Sequence, residues 1–471
     1  MLFRQVYDYI RIRMKRGEWH EHDKLPSVRL LAMELNVNRL TVFKAYQLLK
    51  QEGLVYVKEK SGYYVSPEHL NNREAAYHGG ALKHASAPDI RNKLSDIHRV
   101  EASNQFSKAL IDPGLLPNLF LSDYVKRVFD LYPKLMGTYS TAQGDEELRT
   151  VLAAYLNQQF YTDCHASELI ITTGAQQAID LITRMWIRPM DAILVERPTY
   201  SAALDVFRAQ GARLIPVEFA PEGYDMEQVE LLMKEHRPRF FYLNPTFHNP
   251  TGYTLPADQR KQLLELAEAY QCLLIEDDSF HDIYFDQRPP RPLYAYDTSG
   301  WTIYIRSFCK YVAPGLRICA VVGSQDIINS LIKAKSLADN GTPLVTQKIF
   351  LHYFQSTRMQ QHLEKLRIAL QIRKDVMEEE LRQSGLPWTW ASPNGGLNLW
   401  IQLPEGLSAQ RLLEEALRQS LTFVPGAICD PLDQIEDHIR LSYSFMNEAS
   451  IRIGIRVLAQ VASDILDREQ M

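Results

Sequence analysis

The chain has 471 residues, 46% of them hydrophobic and 23% charged, with a formal net charge of −5. This composition excludes a disordered or fibrous protein and leaves room for two or three domains around a large buried core. Five scattered cysteines without metal-ligand spacing argue against a disulfide framework or metal centre. With neither a signal peptide nor a run of about 18 apolar residues, a cytoplasmic protein without a membrane partner is expected.

Charge is unevenly spread. Residues 1–70 carry 12 Lys and Arg against 8 Asp and Glu, a net of +4, and the remainder is −9. A basic head on an acidic body fits a polyanion-binding module joined to something else, and also fits chance. The pattern of the head decides.

Val6, Ile10 and Met14 recur at four-residue steps and predict an opening helix, with Arg4, Arg11, Arg13, Lys15 and Arg16 among its other positions and Gly17 as its stop. Ser27 is placed to cap a second helix carrying Leu30, Leu31 and Leu35. After the Asn36-Val37-Asn38 turn, a third helix from about Arg39 to Gln51 buries Val42, Ala45 and Leu49. It turns Arg39, Thr41, Lys44 and Tyr46 outwards near its start, as a recognition helix does on entering the major groove. Leu54–Val57 and Gly62–Val65 alternate around Lys58-Glu59-Lys60-Ser61 and predict a two-stranded wing whose lysines reach phosphates.

This stretch, LPSVRLLAMELNVNRLTVFKAYQLLKQEGLVYVKEKSGYYV, resembles the winged helix-turn-helix of the GntR regulators over roughly the first 66 residues. The resemblance implies double-stranded operator DNA as partner, contacted by Ser27, Arg29, Arg39, Thr41, Lys44, Lys58 and Lys60. Residues 67–104 turn polar and aperiodic and read as a linker; if flexible, their length would span about 30 to 37 Å.

In the body, apolar runs recur at Leu169–Thr173, Ala192–Val195, Arg213–Val217, Phe240–Leu243, Leu273–Ile275, Thr302–Arg306 and Ala320–Gly323. Helical or loop patterns separate most of them. This rhythm predicts an α/β fold with a mainly parallel seven-stranded sheet and a ligand at the carboxyl ends of its strands. The tail predicts a smaller α+β part: one long helix from about Thr346 to Ser384, a strand at Leu397–Ile401, a helix near Ala409–Gln419 and a last helix reaching Leu466.

Chemistry-bearing residues fall at those strand ends. Gly174-Ala175-Gln176 opens a helix where backbone N–H groups and the dipole meet a phosphate, although a glycine there also fits plain turn geometry. Tyr200 can stack on a pyridine face, or simply fill core. Asn249 sits in a rigid double-proline turn, and Asp277 ends an apolar strand where it can pair with a protonated ring nitrogen. Lys310 follows a strand, with Ser307 three residues before it and Arg317 seven after. Such a lysine reads as an imine former for a phosphate-bearing aldehyde such as pyridoxal phosphate, although a lysine near an arginine also fits solvated surface.

From about Leu110 onward these pieces together resemble the fold type I, class I aminotransferases: Tyr139-x4-Gly144-x3-Leu148-Arg149, the Gly-Ala-Gln turn, Pro198-Thr199-Tyr200, Asn249-Pro250-Thr251-Gly252, Asp277, Ser307-x-x-Lys310, Gly315-Leu316-Arg317 and Arg440-Leu441-Ser442. With the GntR-type head, the chain resembles the MocR subfamily of bacterial transcriptional regulators. The resemblance implies an aminotransferase-like domain over 105–471, with a large part at about 135–340 and a small part at about 345–471. It implies pyridoxal 5′-phosphate as cofactor, bound as a Schiff base to a catalytic Lys310. Asp277 would pair with the ring nitrogen, Tyr200 stack on the ring and Asn249 hydrogen-bond its phenolic oxygen. Ala175, Gln176, Ser307, Arg317 and the neighbouring subunit's copy of Tyr139 would hold the phosphate, which makes a homodimer. Arg440 would clamp the α-carboxylate of an amino acid.

Two positions depart from that pattern. Phe280 stands where a tyrosine usually donates to the phenolic oxygen, with Tyr284 as the candidate substitute, and Cys319 stands where a glycine usually follows. The expected function is a regulator whose body senses pyridoxal phosphate or an amino acid and repositions the DNA-binding heads. The alternative is an active aminotransferase in which Lys310 shuttles protons.

Overall fold

The computed structural model describes residues 2–15, 18–20, 22–51, 54–58, 61–66 and 93–470. It divides into two compact units, Met1–Ile90 and Arg91–Met471.

In the first unit, helices α1 (Leu2–Lys15), α2 (Val28–Glu34) and α3 (Arg39–Gln51) pack around Val6, Ile10, Leu31, Val42, Ala45 and Leu49. The Ser27 hydroxyl accepts from Leu30 N at 3.2 Å and starts α2. Strands β1 (Val55–Lys58) and β2 (Gly62–Val65) form the antiparallel wing, with Val55 opposite Val65. Tyr46 does not face outwards. It lies four residues after Val42 and three before Leu49, on the same stripe, so it is fully buried and its hydroxyl donates to Pro26 O at 2.6 Å. Leu30, beside the buried Leu31, is 58% exposed.

Of the stretch read as a linker, residues 67–92 lie outside the described residues. Lys93–Arg99 forms a helix, α4, and Asn104–Gln105 (β3) pairs in parallel with a strand near the other end of the chain, Leu421–Thr422.

The second unit is built on seven strands: β4 (Leu169–Thr172), β5 (Ala192–Arg197), β6 (Arg213–Glu218), β7 (Phe240–Leu243), β8 (Leu273–Asp278), β9 (Thr302–Ser307) and β10 (Cys319–Val322). Their order is β4-β10-β9-β8-β7-β5-β6, with β10 antiparallel to both neighbours and the other pairs parallel. Helices cover both faces, so β4 and β7 are buried at every position, as their uninterrupted apolar sequences require. The smaller part carries a three-stranded sheet of β11 (Asn398–Gln402), β13 (Val424–Pro425) and β14 (His438–Ser442), with Leu421–Thr422 as β12. The helix expected over Thr346–Ser384 is two, Leu344–Phe354 and Thr357–Gln383. Ser356 breaks them by taking an extended N-cap conformation and returning its hydroxyl to Tyr353 O at 2.6 Å. Among the described residues no helix is long and apolar enough to cross a membrane.

A buried charge cluster fixes the ends of β8 and β9. The Arg306 guanidinium, fully buried, donates to Asp282 Oδ2 at 2.7 Å and lies 3.6 Å from Asp278 Oδ2, which also accepts from Tyr304 and His281, both at 2.8 Å. Burial opposes the Asp278 charge, but His281, Arg306 and Tyr304 outweigh it and hold the carboxyl at about 2, below its ordinary 3.8. The stability this contributes is fully present above about pH 4 and is lost as pH falls towards 2, on the order of 2 kcal/mol. Asp278→Asn should therefore be less stable at neutral pH and lose less stability between pH 4 and 2 in an acid titration followed by circular dichroism; parallel curves would contradict this.

Candidate functional site

A cavity of about 590 Å³, counted out to its open mouth, lies at the carboxyl ends of the central strands. It is lined by Ala175, Gln176, Tyr200, Asn249, Asp277, Ser307, Lys310 and Arg317, eight residues brought from five separate strand ends and turns. Tyr139 is not among them: it is 85% exposed, outside the cavity of its own chain. Arg440 stands beside Asn249.

The anion end is made by the strand-to-helix turn after β4. Gly174 has φ +92°, and a Cβ there would collide with the Arg317 guanidinium, so only glycine lets the arginine lie across the turn. Arg317 Nη2 donates to Thr173 O at 3.0 Å. The helix Ala175–Trp186 starts at this point and aims its first free N–H groups into the cavity. Ser307 ends β9 and is buried, and the Gln176 side-chain oxygen is buried without a partner among the described residues.

At the opposite end, Asp277 accepts from Tyr242 at 2.8 Å and from Ser279 at 2.9 Å. Burial pushes its carboxyl up to about 6, with Tyr242 and Ser279 holding it lower than burial alone would. Lys310 Nζ has one hydrogen bond, 3.4 Å to Ala109 O. Burial lowers the Lys310 pKa, and Arg440 and Arg317 add to this while Asp277 opposes it. Arg440, on β14, is 1% exposed; Nη1 donates to Asn249 Oδ1 at 3.2 Å, Nη2 to Ser107 O, and Nε has no partner among the described residues.

Sequence reasoning missed several groups. Ser279 and Tyr242 could have been found by aligning strand ends, since one lies two residues after Asp277 and the other is the penultimate residue of the adjacent strand. The carbonyls of Ser107 and Ala109 carried no signal, because only tertiary folding brings them to Arg440 and Lys310. The same holds for His98 on α4, whose Nε2 is 3.0 Å from Ser107 O; burial and the nearby Arg440 lower it to about 4, so it is neutral and donates to that carbonyl as the Nε2–H tautomer. Phe280 lines the cavity, but Tyr284 does not replace the missing hydroxyl. Its ring lies under the Arg367 guanidinium at 3.7 Å, in a different cleft. Cys319 is fully buried in β10, opposite Ser307.

On the head, Arg29, Arg39, Lys44 and Lys58 are exposed and Thr41 is half-buried; Ser27 is exposed and engaged as the α2 cap, and Lys60 lies outside the described residues.

The lowered Lys310 pKa makes it more nucleophilic near neutrality than an ordinary lysine at 10.5. A limiting amount of an amine-reactive aldehyde with borohydride at pH 8 should label Lys310 ahead of exposed lysines, as read by peptide mass spectrometry. Labelling spread evenly over surface lysines would contradict the environment described.

The family described as Aminotransferase class I and II matches residues 133–458, and Bacterial regulatory proteins, gntR family, matches residues 2–65. The HTH-type transcriptional regulator YisV of Bacillus subtilis is 31% identical, covering 99% of this chain and 96% of its own. The 2-aminoadipate transaminase of Thermus thermophilus is 32% identical, covering 77% of this chain and 90% of its own. Among solved structures, LysN, an alpha-aminoadipate aminotransferase of Thermus thermophilus complexed with N-(5'-phosphopyridoxyl)-L-leucine, is similar with a TM-score of 0.76 and 29% identity, over 82% of this chain and 98% of that one. A GntR head and an aminotransferase class I and II body on one chain, shared end to end with named transcriptional regulators, place this protein in the MocR subfamily of GntR-type transcriptional regulators.

Proposed function

We propose that the body of this regulator binds pyridoxal 5′-phosphate, that it senses this cofactor or an amino acid carried with it, and that the outcome is transmitted to DNA-binding heads in a homodimer. The observation that carries the reading is the charge of the cavity. Lys310 and Arg317 line it together with one carboxylate, Asp277, and the buried guanidinium of Arg440 stands behind its Asn249 wall. Such a site favours a dianionic phosphate and a carboxylate together.

The residues fit the cofactor: Gly174 lets the Arg317 guanidinium lie across the phosphate cradle, and Asp277, which accepts from the Tyr242 and Ser279 hydroxyls, forms no ion pair among the described residues. Arg317, Ser307 and the N–H groups of Ala175 and Gln176 would hold the phosphate, joined by Tyr139 from the second subunit. Asp277 would meet the ring nitrogen, and Tyr200 would cover one face of the ring. Because Asn249 gives its oxygen to Arg440, its NH2 group is the donor left for the phenolic oxygen. When bound, pyridoxal phosphate supplies an electron-withdrawing ring and an aldehyde within reach of an amine. Lys310 would hold that aldehyde and carry a proton at Nζ.

Arg440 would receive the ligand carboxylate. Its Nη2 is engaged by Ser107 O, so an incoming carboxylate competes with that carbonyl, which His98 of α4 also contacts. This gives the ligand a direct mechanical hold on the first described element after residues 67–92.

A second reading, transamination, is favoured by the intact Lys310, Asp277 and Arg440 set and by relatives named as transaminases. Phe280 counts against it, since the phenolic oxygen has lost a donor that would tune proton transfer. Sustained keto-acid production would establish this reading.

The test is cofactor uptake. Full-length protein should acquire the visible absorption of bound pyridoxal phosphate, and Lys310→Ala should lose it with an unchanged far-ultraviolet dichroism. An unaltered cofactor spectrum in that variant would refute the site.

A further inference from the structure

We propose that the head reads thymine through its 5-methyl group, using Leu40 and Phe43 as the contacts. This rests on the reading above in which α3 enters the major groove of duplex DNA. Along α3, Val42, Ala45, Tyr46 and Leu49 are fully buried, which turns residues 40, 43 and 44 away from the core, while Arg39 is exposed as the first residue of the helix. On that side Leu40 is 59% exposed and Phe43 44% exposed, flanked by exposed Arg39 and Lys44. Two large apolar side chains in solvent, on the first turns of a helix, satisfy nothing within the head itself.

The occupant follows from the charges. The sequence of α3, RLTVFKAYQLLKQ, contains no acidic residue, and Lys58 of β1 adds a further exposed cation. This suits a phosphate-bearing partner better than an apolar protein face. In the major groove the base edges offer hydrogen-bonding atoms and one apolar group, the C5-methyl of thymine. A leucine and a phenylalanine cannot satisfy the hydrogen-bonding edges; they gain only from burying against that methyl. The cations on either side would grip the phosphates and set the register, leaving Leu40 and Phe43 to choose the base.

The test begins with full-length protein and a randomised duplex library, from which bound sequences are enriched. The enriched duplex is then synthesised with each thymine replaced in turn by deoxyuridine, which keeps the hydrogen-bonding edge and removes only the methyl. Affinity at fixed salt should fall about four-fold at each contacted position, the worth of one buried methyl group. That loss should vanish at the matching position in Leu40→Ala or Phe43→Ala; both residues are exposed, so their replacement leaves the head folded. Equal affinity for every deoxyuridine duplex, or the same loss in both variants as in the parent, would overturn the methyl reading while leaving DNA binding intact. Failure to enrich any duplex would instead overturn the DNA-binding reading, and this inference with it.

Discussion

The cavity at the strand ends holds like charges close together, and much of the second unit exists to keep them there. Lys310 sits out of water near Arg317 and Arg440, with Asp277 as the facing carboxylate. Burial alone lowers the Lys310 pKa and raises that of Asp277, so neither group is at ease in its charged form without further ions. A site in this condition stores affinity for anions. Under the proposed function, a phosphate and a carboxylate filling it would relieve that repulsion.

What resists that repulsion lies one layer behind. Arg306 is clamped between Asp278 and Asp282, and Arg260 lies 3.6 Å from Glu276, all deep in the sheet. These pairs add little net stability after desolvation, yet removing one partner leaves a bare buried charge. They therefore hold the ends of β8 and β9, from which Asp277 and Ser307 project, in one arrangement. Under the proposed function, the side of the site that would meet the ring and phosphate is the one these buried pairs support. Arg440, which under the proposal would meet the carboxylate, is held by Asn249 Oδ1 and the Ser107 carbonyl, contacts for which a ligand carboxylate would compete.

Much of this was legible in sequence because parallel strands buried on both faces must be continuously apolar. All seven runs are strands, and a ligand site at their carboxyl ends follows from the topology. Lys310, Ser307 and Arg317 share one local stretch, so spacing alone brought them forward. Tyr46 was misread because outward positions were assigned near the helix start without following the stripe from Val42 to Leu49. The break at Ser356 was missed because the apolar pattern runs through it, and the return of its hydroxyl to Tyr353 O is a local device that periodicity does not see. Ser107, Ala109 and His98 were invisible, since two act through backbone atoms and the third through a tertiary contact. Tyr284 was offered as a replacement hydroxyl on proximity in sequence, and the loop after β8 carries it to the far side.

Joining a ligand-binding body to a DNA-reading head makes sense physically only if each site affects the other, and that coupling must be reciprocal. The decisive measurement is the affinity of full-length protein for an enriched duplex, titrated with pyridoxal phosphate and then with a panel of amino acids, in the parent and in Arg440→Ala. At least one ligand should change the parent's DNA affinity by roughly 5- to 150-fold, and the amino-acid part of that change should be absent in Arg440→Ala. Saturation of the body by cofactor and amino acid with no change in DNA affinity would contradict the account.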